Sequence, residues 1–232
     1  MIVLNKLNLW IWLCAMIGSL LLVIPNSLYA DEVEALHTNA VPVTQQESLN
    51  PKEKNIWVND IGEGFKAGTQ VVSISAGGTY GVIIFGGKER HHFVLLSCSY
   101  GQLLGGVKGV DSWYRGNWEV RGEIFGGAQL NSEDAGIIGI TPHLRYNFAT
   151  GTRFIPYLDV GAGISLTDIR APDLGGAFQF NLQASAGGNY FIRDNVAVHL
   201  EICYLHISSA AIYKPNNGVN SVGGFLGVSK YF

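Results

Sequence analysis

The 232-residue sequence has few charged side chains, and this scarcity excludes several classes of protein. Asp, Glu, Lys and Arg make up 14% of the residues, whereas about a quarter is usual in soluble domains. The formal net charge is −3 and no Lys/Arg cluster is present to meet phosphates, so a nucleic-acid partner is not expected. Disorder over most of the chain is also excluded, because it requires low hydrophobicity, whereas 47% of these residues are hydrophobic.

Long apolar runs are missing from the chain except near its N-terminus, between Leu9 and Ile24. Lys6 precedes this run, and Ala30 follows it at the expected cut. A basic start, an apolar centre and a small residue at the cleavage point are typical of a secretory signal peptide. We therefore predict that residues 1–30 are a cleaved signal peptide. The alternative is an uncleaved membrane anchor, although the run is shorter than the roughly 20 residues of a spanning helix.

Cysteine is also scarce, and the two that follow the signal peptide are Cys98 and Cys203. An oxidising compartment would permit a disulfide between them, but the sequence does not supply the geometry, and free thiols are the alternative. The spacing of cysteines and histidines matches no zinc site, so we expect neither a metal nor a cofactor. The pair His91-His92 lies at a predicted strand end, where we expect both side chains to be solvated.

Alternation of apolar and polar residues is abundant in the rest of the chain, and this period of two indicates β-strands. Near the C-terminus, for example, Val198, Leu200 and Ile202 oppose His199 and Glu201. The alternating segments are longer than the 5–6 residues that are usual in soluble proteins. The predicted strands lie near residues 68–85, 90–105, 114–130, 136–148, 152–166, 176–191, 195–208 and 218–232.

The charged residues on the polar faces distinguish between two architectures. A soluble sandwich or lipocalin-like barrel would turn its charged face to water, whereas an outer-membrane barrel turns its apolar face to lipid. Strand length, aromatic strand ends and the export signal favour the second. We predict an all-β protein in the outer membrane of a Gram-negative-type cell, with an eight-stranded antiparallel transmembrane β-barrel over residues 68–232. Residues 31–67 lack alternation and are predicted to form a flexible N-terminal arm.

An eight-stranded barrel encloses just enough space for side chains, so we expect a filled interior and not a diffusion pore. The last predicted strand ends at Phe232, and a terminal aromatic resembles the signal read by the outer-membrane assembly machinery. A homodimer is kept as an alternative partner. The residues expected to fill the interior are Glu119, Arg121, Glu123, His143, Arg145, Asp159, His199 and Glu201.

Polar residues interrupt the lipid-facing side of the seventh predicted strand near its outer end. His206 and Ser208 follow the apolar residues of that face, and neighbours of this kind lie about 6.5–7 Å apart along a strand. An imidazole spans this gap and can accept the proton of a serine hydroxyl, as acyl transfer requires. Asn220 on the eighth strand faces the same way and would orient the imidazole. The alternative is that these polar residues merely lie in the headgroup region.

The residues around this pair resemble those of a known family. The segments Tyr204–Ala210 and Pro215–Gly218 are similar to the motifs His-x-Ser-Asn-Ala and Pro-Asn-x-Gly of the lipid A 3-O-deacylases, also called PagL-like acyloxyacyl hydrolases. The resemblance covers nearly all of residues 63–232. It implies an outer-membrane barrel with a Ser-His-acid triad on its lipid-facing surface, acting without a cofactor on lipid A or lipopolysaccharide among the membrane lipids.

By position in these motifs, the resemblance implies that Ser208 is the nucleophile and His206 the general base. The acidic residue of the family falls at Asn220, and the Asn after the nucleophile is replaced by Ser209, whose hydroxyl is the remaining donor there. Ala210 and Asn216 are the further candidates for holding the oxyanion or orienting the substrate. The alternative is a catalytically inactive barrel of the same fold with a structural or lipid-binding role, which the two replacements favour.

Overall fold

The computed structural model describes residues 65–131 and 135–232, and most of them lie in eight β-strands. Each strand pairs antiparallel with the next along the chain, and the last pairs with the first, which closes a barrel. The predicted fold class is therefore confirmed. The predicted signal peptide and residues 31–64 of the predicted arm lie outside the described residues. The strands are β1 (Gln70–Gly81), β2 (Phe93–Lys108), β3 (Gly116–Gln129), β4 (Gly136–Phe148), β5 (Phe154–Thr167), β6 (Phe178–Arg193), β7 (Val196–Ser208) and β8 (Val219–Tyr231).

The two ends of the barrel differ in the length of their connections. Backbone hydrogen bonds join Gln70, where the first strand begins, to Phe232, which follows the last strand. The end of the barrel that holds these two residues is called the termini end. The connections at that end span residues 109–115, 149–153 and 194–195. The opposite end, called the loop end, carries the connections 82–92, 130–135, 168–177 and 209–218. No helix among the described residues is long and apolar enough to cross a membrane.

The first connection is longer than the sequence pattern predicts. Residues 82–85 are apolar and were expected to continue β1, but that strand ends at Gly81 and the next begins at Phe93. Ile83 and Phe85 are exposed instead of paired. An apolar run without alternation does not distinguish a strand from a loop that covers a neighbouring surface. This loop, residues 82–92, is called the β1–β2 loop below.

The alternating pattern places apolar side chains outside the barrel and polar ones inside, as predicted. Leu200 and Ile202 on β7 are each 65% exposed, whereas the charged residues on the inward faces of the strands are buried. Because successive side chains on a strand point to opposite faces, the orientation of one side chain determines the orientation of every other side chain of that strand.

The buried charges form a network around Asp159 on β5. Its carboxylate accepts hydrogen bonds from Arg145 Nε at 2.8 Å, Arg121 at 3.3 Å and His143 Nδ1 at 2.5 Å. Arg145 also bonds the Glu201 carboxylate at 3.2 Å. Ion pairs and hydrogen bonds therefore compensate much of the cost of burying these charges. His199 and Glu119 differ from the expected charge pairing: His199 Nδ1 lies 3.0 Å from Ser229 Oγ, and the Glu119 carboxylate accepts a hydrogen bond from Asn147 Nδ2 at 3.1 Å.

Apolar clusters fill the barrel at both ends of this network. At the termini end, the ring of Phe65 packs at 5.6 Å between centroids against both Phe191 and Tyr231. At the loop end, Phe93, Phe125 and their neighbours form a second buried cluster. Neither Cys98 nor Cys203 is in a disulfide, because Cys98 is half-buried on the outer side of β2 while Cys203 is buried inside the barrel.

Candidate active site

His206 and Ser208 lie near the loop end of β7, on the outer face of the barrel. Their side chains are half-buried, and His206 is directly opposite Asn220 of β8 in the antiparallel register. His206 Nε2 is 3.1 Å from Ser208 Oγ, and His206 Nδ1 is 2.8 Å from Asn220 Oδ1. The structure therefore brings together the three residues that the sequence singles out, in the order hydroxyl, imidazole, amide.

The Asn220 amide is held in one orientation, and this determines the tautomer of His206. Asn220 Nδ2 donates to the Ile84 carbonyl at 2.9 Å, so Oδ1 is the atom directed at the imidazole. Tyr204 also donates its hydroxyl to that oxygen at 2.6 Å. Because Oδ1 only accepts, His206 Nδ1 carries the proton and Nε2 has a free lone pair. That lone pair faces Ser208 Oγ and is able to accept its proton.

Asn220 is far less accessible than its outward-facing position in β8 suggests. It is 2% exposed, because the β1–β2 loop crosses over it. Besides the Ile84 contact, the Asn220 carbonyl accepts the backbone N–H of Val82 at 2.8 Å. The sequence pattern does not predict that the β1–β2 loop covers Asn220, since the two lie more than a hundred residues apart along the chain.

The residues after Ser208 form a tight turn stabilised by Asn216. Ser209 is buried, and both its backbone N–H and its hydroxyl lie within hydrogen-bond distance of Asn216 Oδ1, at 2.7 and 2.9 Å. The Ser209 hydroxyl is thus engaged with Asn216 and with the Tyr213 backbone, and its role toward an oxyanion stays a prediction. Ala210 and Ala211 in this turn have positive φ angles of 50° and 67°.

A groove of about 460 Å³ lies over these residues. Asn216 and the two residues that follow it border the groove, whereas Ser209 and Ala210 do not. Asn216 Nδ2 donates no hydrogen bond within the described part of the chain, and its partner oxygen is already fixed by Ser209. The remaining lining residues are Phe85, Leu182, Tyr204, His206 and Ser208.

A second polar cluster, which the sequence analysis missed, joins two loops at the same end. His91 is 4% exposed, with Nδ1 at 3.1 Å from Gln129 Oε1 and Nε2 at 2.9 Å from Asp173 Oδ2. The expectation that His91 is solvated is therefore wrong; residues 168–177 fold over it. Glu89, His91 and Asp173 bring ligand-type atoms within 4.8 Å of one another. Both Asp173 oxygens already accept backbone N–H groups, which marks the cluster as a loop anchor.

Three solved structures of other proteins are similar to the chain. The solved structure of Neisserial surface protein A has a TM-score of 0.52 and 18% identity, covering 71% of this chain and 99% of that one. The crystal structure of the outer membrane enzyme PagL matches with a TM-score of 0.48 and 18% identity, over 68% of this chain and 97% of that one. Ail, the attachment invasion locus protein of Yersinia pestis, matches at 0.45 and 14% identity, over 72% and 99%.

No curated protein sequence matches the chain. The model of one protein family does, however, and it spans more than half of the sequence, including β7, most of β8 and every residue of the groove except Phe85. The family is described as lipid A 3-O-deacylase (PagL), and the match extends over residues 99–229. The chain is an outer-membrane β-barrel that belongs to the lipid A 3-O-deacylase family.

Proposed function

We propose that this barrel is an esterase that removes an ester-linked acyl chain from lipid A of lipopolysaccharide, with Ser208 as nucleophile and His206 as general base. The observation that carries the proposal is the chain of contacts from Asn220 to Ser208: Asn220 Oδ1 lies 2.8 Å from His206 Nδ1, and His206 Nε2 lies 3.1 Å from the serine hydroxyl. Since Oδ1 only accepts hydrogen bonds, Nε2 is the basic nitrogen. The site faces outward, on the surface that an outer-membrane barrel turns to lipid. Lipid substrate therefore reaches Ser208 from within the membrane leaflet.

The reaction follows from this arrangement. Ser208 Oγ attacks the ester carbonyl while His206 Nε2 takes its proton, and the carbonyl oxygen becomes an oxyanion. The tetrahedral intermediate collapses to an acyl-serine, and His206 returns the proton to the leaving sugar hydroxyl. Water then attacks the acyl-serine with His206 again acting as base, which releases the fatty acid and restores Ser208. Every step uses the two side chains already in hydrogen-bond contact.

Asn216 is the proposed donor to the oxyanion. Asn216 borders the groove, and Ser209 holds one side of its amide through two contacts to Oδ1. A donor that is oriented before the reaction stabilises the developing charge without reorganisation. Ala210, the other candidate, lies in the turn after Ser209 and does not border the groove, so Asn216 is the donor that we propose.

The amide at position 220 is compatible with catalysis because it is oriented. In serine proteases, replacing the triad Asp with Asn lowers turnover about 10⁴-fold, and the cause is the wrong imidazole tautomer. Here the Ile84 carbonyl accepts from Asn220 Nδ2, so the amide cannot turn its NH₂ group toward His206 without losing that bond. The correct tautomer is kept, and what the amide does not supply is a negative charge beside the imidazolium.

That missing charge favours a second candidate, a non-enzymatic barrel that binds lipid through the same groove. Both side chains bonded to the His206 ring, Asn220 and Ser208, are neutral. In this alternative the groove would hold an acyl chain without cleaving it.

Mass spectrometry of lipid A separates the two candidates. A Gram-negative host producing the wild-type barrel should lose one acyl chain from its lipid A, whereas the Ser208→Ala and His206→Ala variants should leave lipid A intact. The double variant should be no worse than either single one, since nucleophile and base act as a unit. Ser165→Ala, at a buried serine inside the barrel on β5, is the control and should act as wild type. Unchanged lipid A with the wild-type barrel would support the lipid-binding candidate.

A further inference from the structure

Phe85, at the tip of the β1–β2 loop, combines two costly features. Its side chain is 80% exposed, and its backbone has a φ of 50°, a left-handed conformation that bulky residues rarely adopt. Gly86 follows with a φ of 100° and completes the turn. Strained positions of this kind persist where the surrounding structure enforces them, and they cluster at functional sites.

The turn directs Phe85 over the candidate active site. Its side chain lines the groove together with Leu182, which is 51% exposed on β6. Leu182 is directly opposite His206 in the β6–β7 register, two residue pairs from the Phe180–Ser208 pair. Apolar side chains from two separate elements thus border the polar groups of the site, as an ester with a hydrocarbon chain requires.

The buried carboxylate of Asp173 holds the β1–β2 loop over the groove. Asp173 is fully buried and accepts the backbone N–H groups of Lys88 at 2.7 Å and Glu89 at 3.0 Å, in addition to His91 Nε2. Its own backbone carbonyl accepts the N–H of Asn217 at 2.9 Å. One residue of the 168–177 loop therefore joins both loops that line the groove.

We propose that Phe85 is a specificity-determining residue that packs on the acyl chain of the substrate, and that Asp173 is the residue that positions it. The inference rests on the esterase proposed above and names the group that selects its acyl chain. The ester carbonyl lies at Ser208, and the first methylenes of the chain pass between Phe85 and Leu182. Covering one methylene is worth about a fourfold change in binding, so the preference for longer chains comes partly from this ring.

The test measures kcat and KM of the detergent-purified barrel on synthetic acyl esters with short, medium and long straight chains. Phe85→Ala should raise KM for the longer esters by about tenfold and raise KM for the shortest ester much less, because a longer chain covers more of the ring. Leu130→Ala is the matched control, since Leu130 is an apolar residue, 66% exposed, that does not line the groove. Equal effects at every chain length, or none, would overturn the role of Phe85.

Asp173→Asn tests the positioning residue. An amide has one acceptor oxygen in place of two, so at least one of the contacts to Lys88, Glu89 and His91 is lost. We expect the same flattened chain-length profile, no further loss when Phe85→Ala is added, and faster hydrogen exchange of the Lys88 and Glu89 amides. Faster exchange with an unchanged profile would overturn the positioning role.

The experiments distinguish a failure of the esterase proposal from a failure of the inference about Phe85. A wild-type barrel that cleaves none of the esters and leaves lipid A intact contradicts the esterase, and the inference about Phe85 with it. A wild-type barrel that is active, with a chain-length preference that survives both Phe85→Ala and Asp173→Asn, contradicts only the inference.

Discussion

Asn220 Oδ1 lies 2.8 Å from His206 Nδ1, across the β7–β8 pair, and the amide is prevented from turning by its bond to the Ile84 carbonyl. In the proposed esterase, this neutral side chain performs one of the two tasks of a triad acid, which is to select the tautomer of the base. The second task, stabilising the imidazolium by charge, is left undone. This separation of two tasks at one position leads to the first prediction.

Asn220→Asp should raise kcat and lower stability together. A carboxylate at this position stabilises the imidazolium that forms when Ser208 loses its proton, so kcat should rise by about tenfold or more. The second carboxylate oxygen meets the Ile84 carbonyl, where a hydrogen bond is lost, at a cost of about 1–3 kcal/mol. Esterase kinetics and thermal unfolding by circular dichroism measure the two effects. Asn217→Asp adds the same charge without touching His206 and should not raise kcat.

Asn216→Asp tests the oxyanion donor. The carboxylate keeps an acceptor for the two Ser209 groups but replaces the Nδ2 donor with a negative oxygen. Loss of one oxyanion donor lowers kcat by about 10²–10³-fold, and we expect at least this loss with little change in KM. A KM effect without a kcat effect would instead assign Asn216 to substrate binding.

Asp159→Asn should destabilise the barrel more than any single change on its outer face. The Asp159 carboxylate is bonded by Arg121, His143 and Arg145 in the interior, and removing one partner of a buried ion pair costs about 3–5 kcal/mol. Ser165→Ala on the same strand is the control, because the buried Ser165 hydroxyl has no hydrogen-bond partner among the described residues. Unfolding in urea from detergent or lipid, followed by tryptophan fluorescence, would show the difference.

Ile202→Arg should impair assembly more than Glu201→Gln at the neighbouring position. Ile202 is exposed on the outer face, where an Arg at mid-membrane depth costs about 2–4 kcal/mol. A Gln at position 201 still accepts hydrogen bonds from Tyr157 and Arg145. The fraction of barrel that migrates differently before and after boiling reports assembly. A larger loss with Glu201→Gln would mean that the inner and outer faces are reversed.

The sequence alone determined the architecture and half of the candidate site. Strand number and the orientation of each face follow from alternation, because a period of two is a local property that a closed barrel must satisfy along every strand. The pairing of His206 with Ser208 is equally local, since two residues apart on one strand means the same face and adjacent positions.

Only the tertiary structure decided what surrounds that pair. The Ile84 carbonyl orients Asn220 from 136 residues away, and Asp173 reaches His91 across 82 residues. Both contacts are made by loops, which carry no periodic signal, and the apolar run at residues 82–85 even resembles a strand. The conformation of a loop that pairs with no strand depends on which surface it contacts in the closed barrel. Here that surface is the candidate active site, so the tautomer of His206 and the place of Phe85 followed from the fold and not from the pattern of the chain.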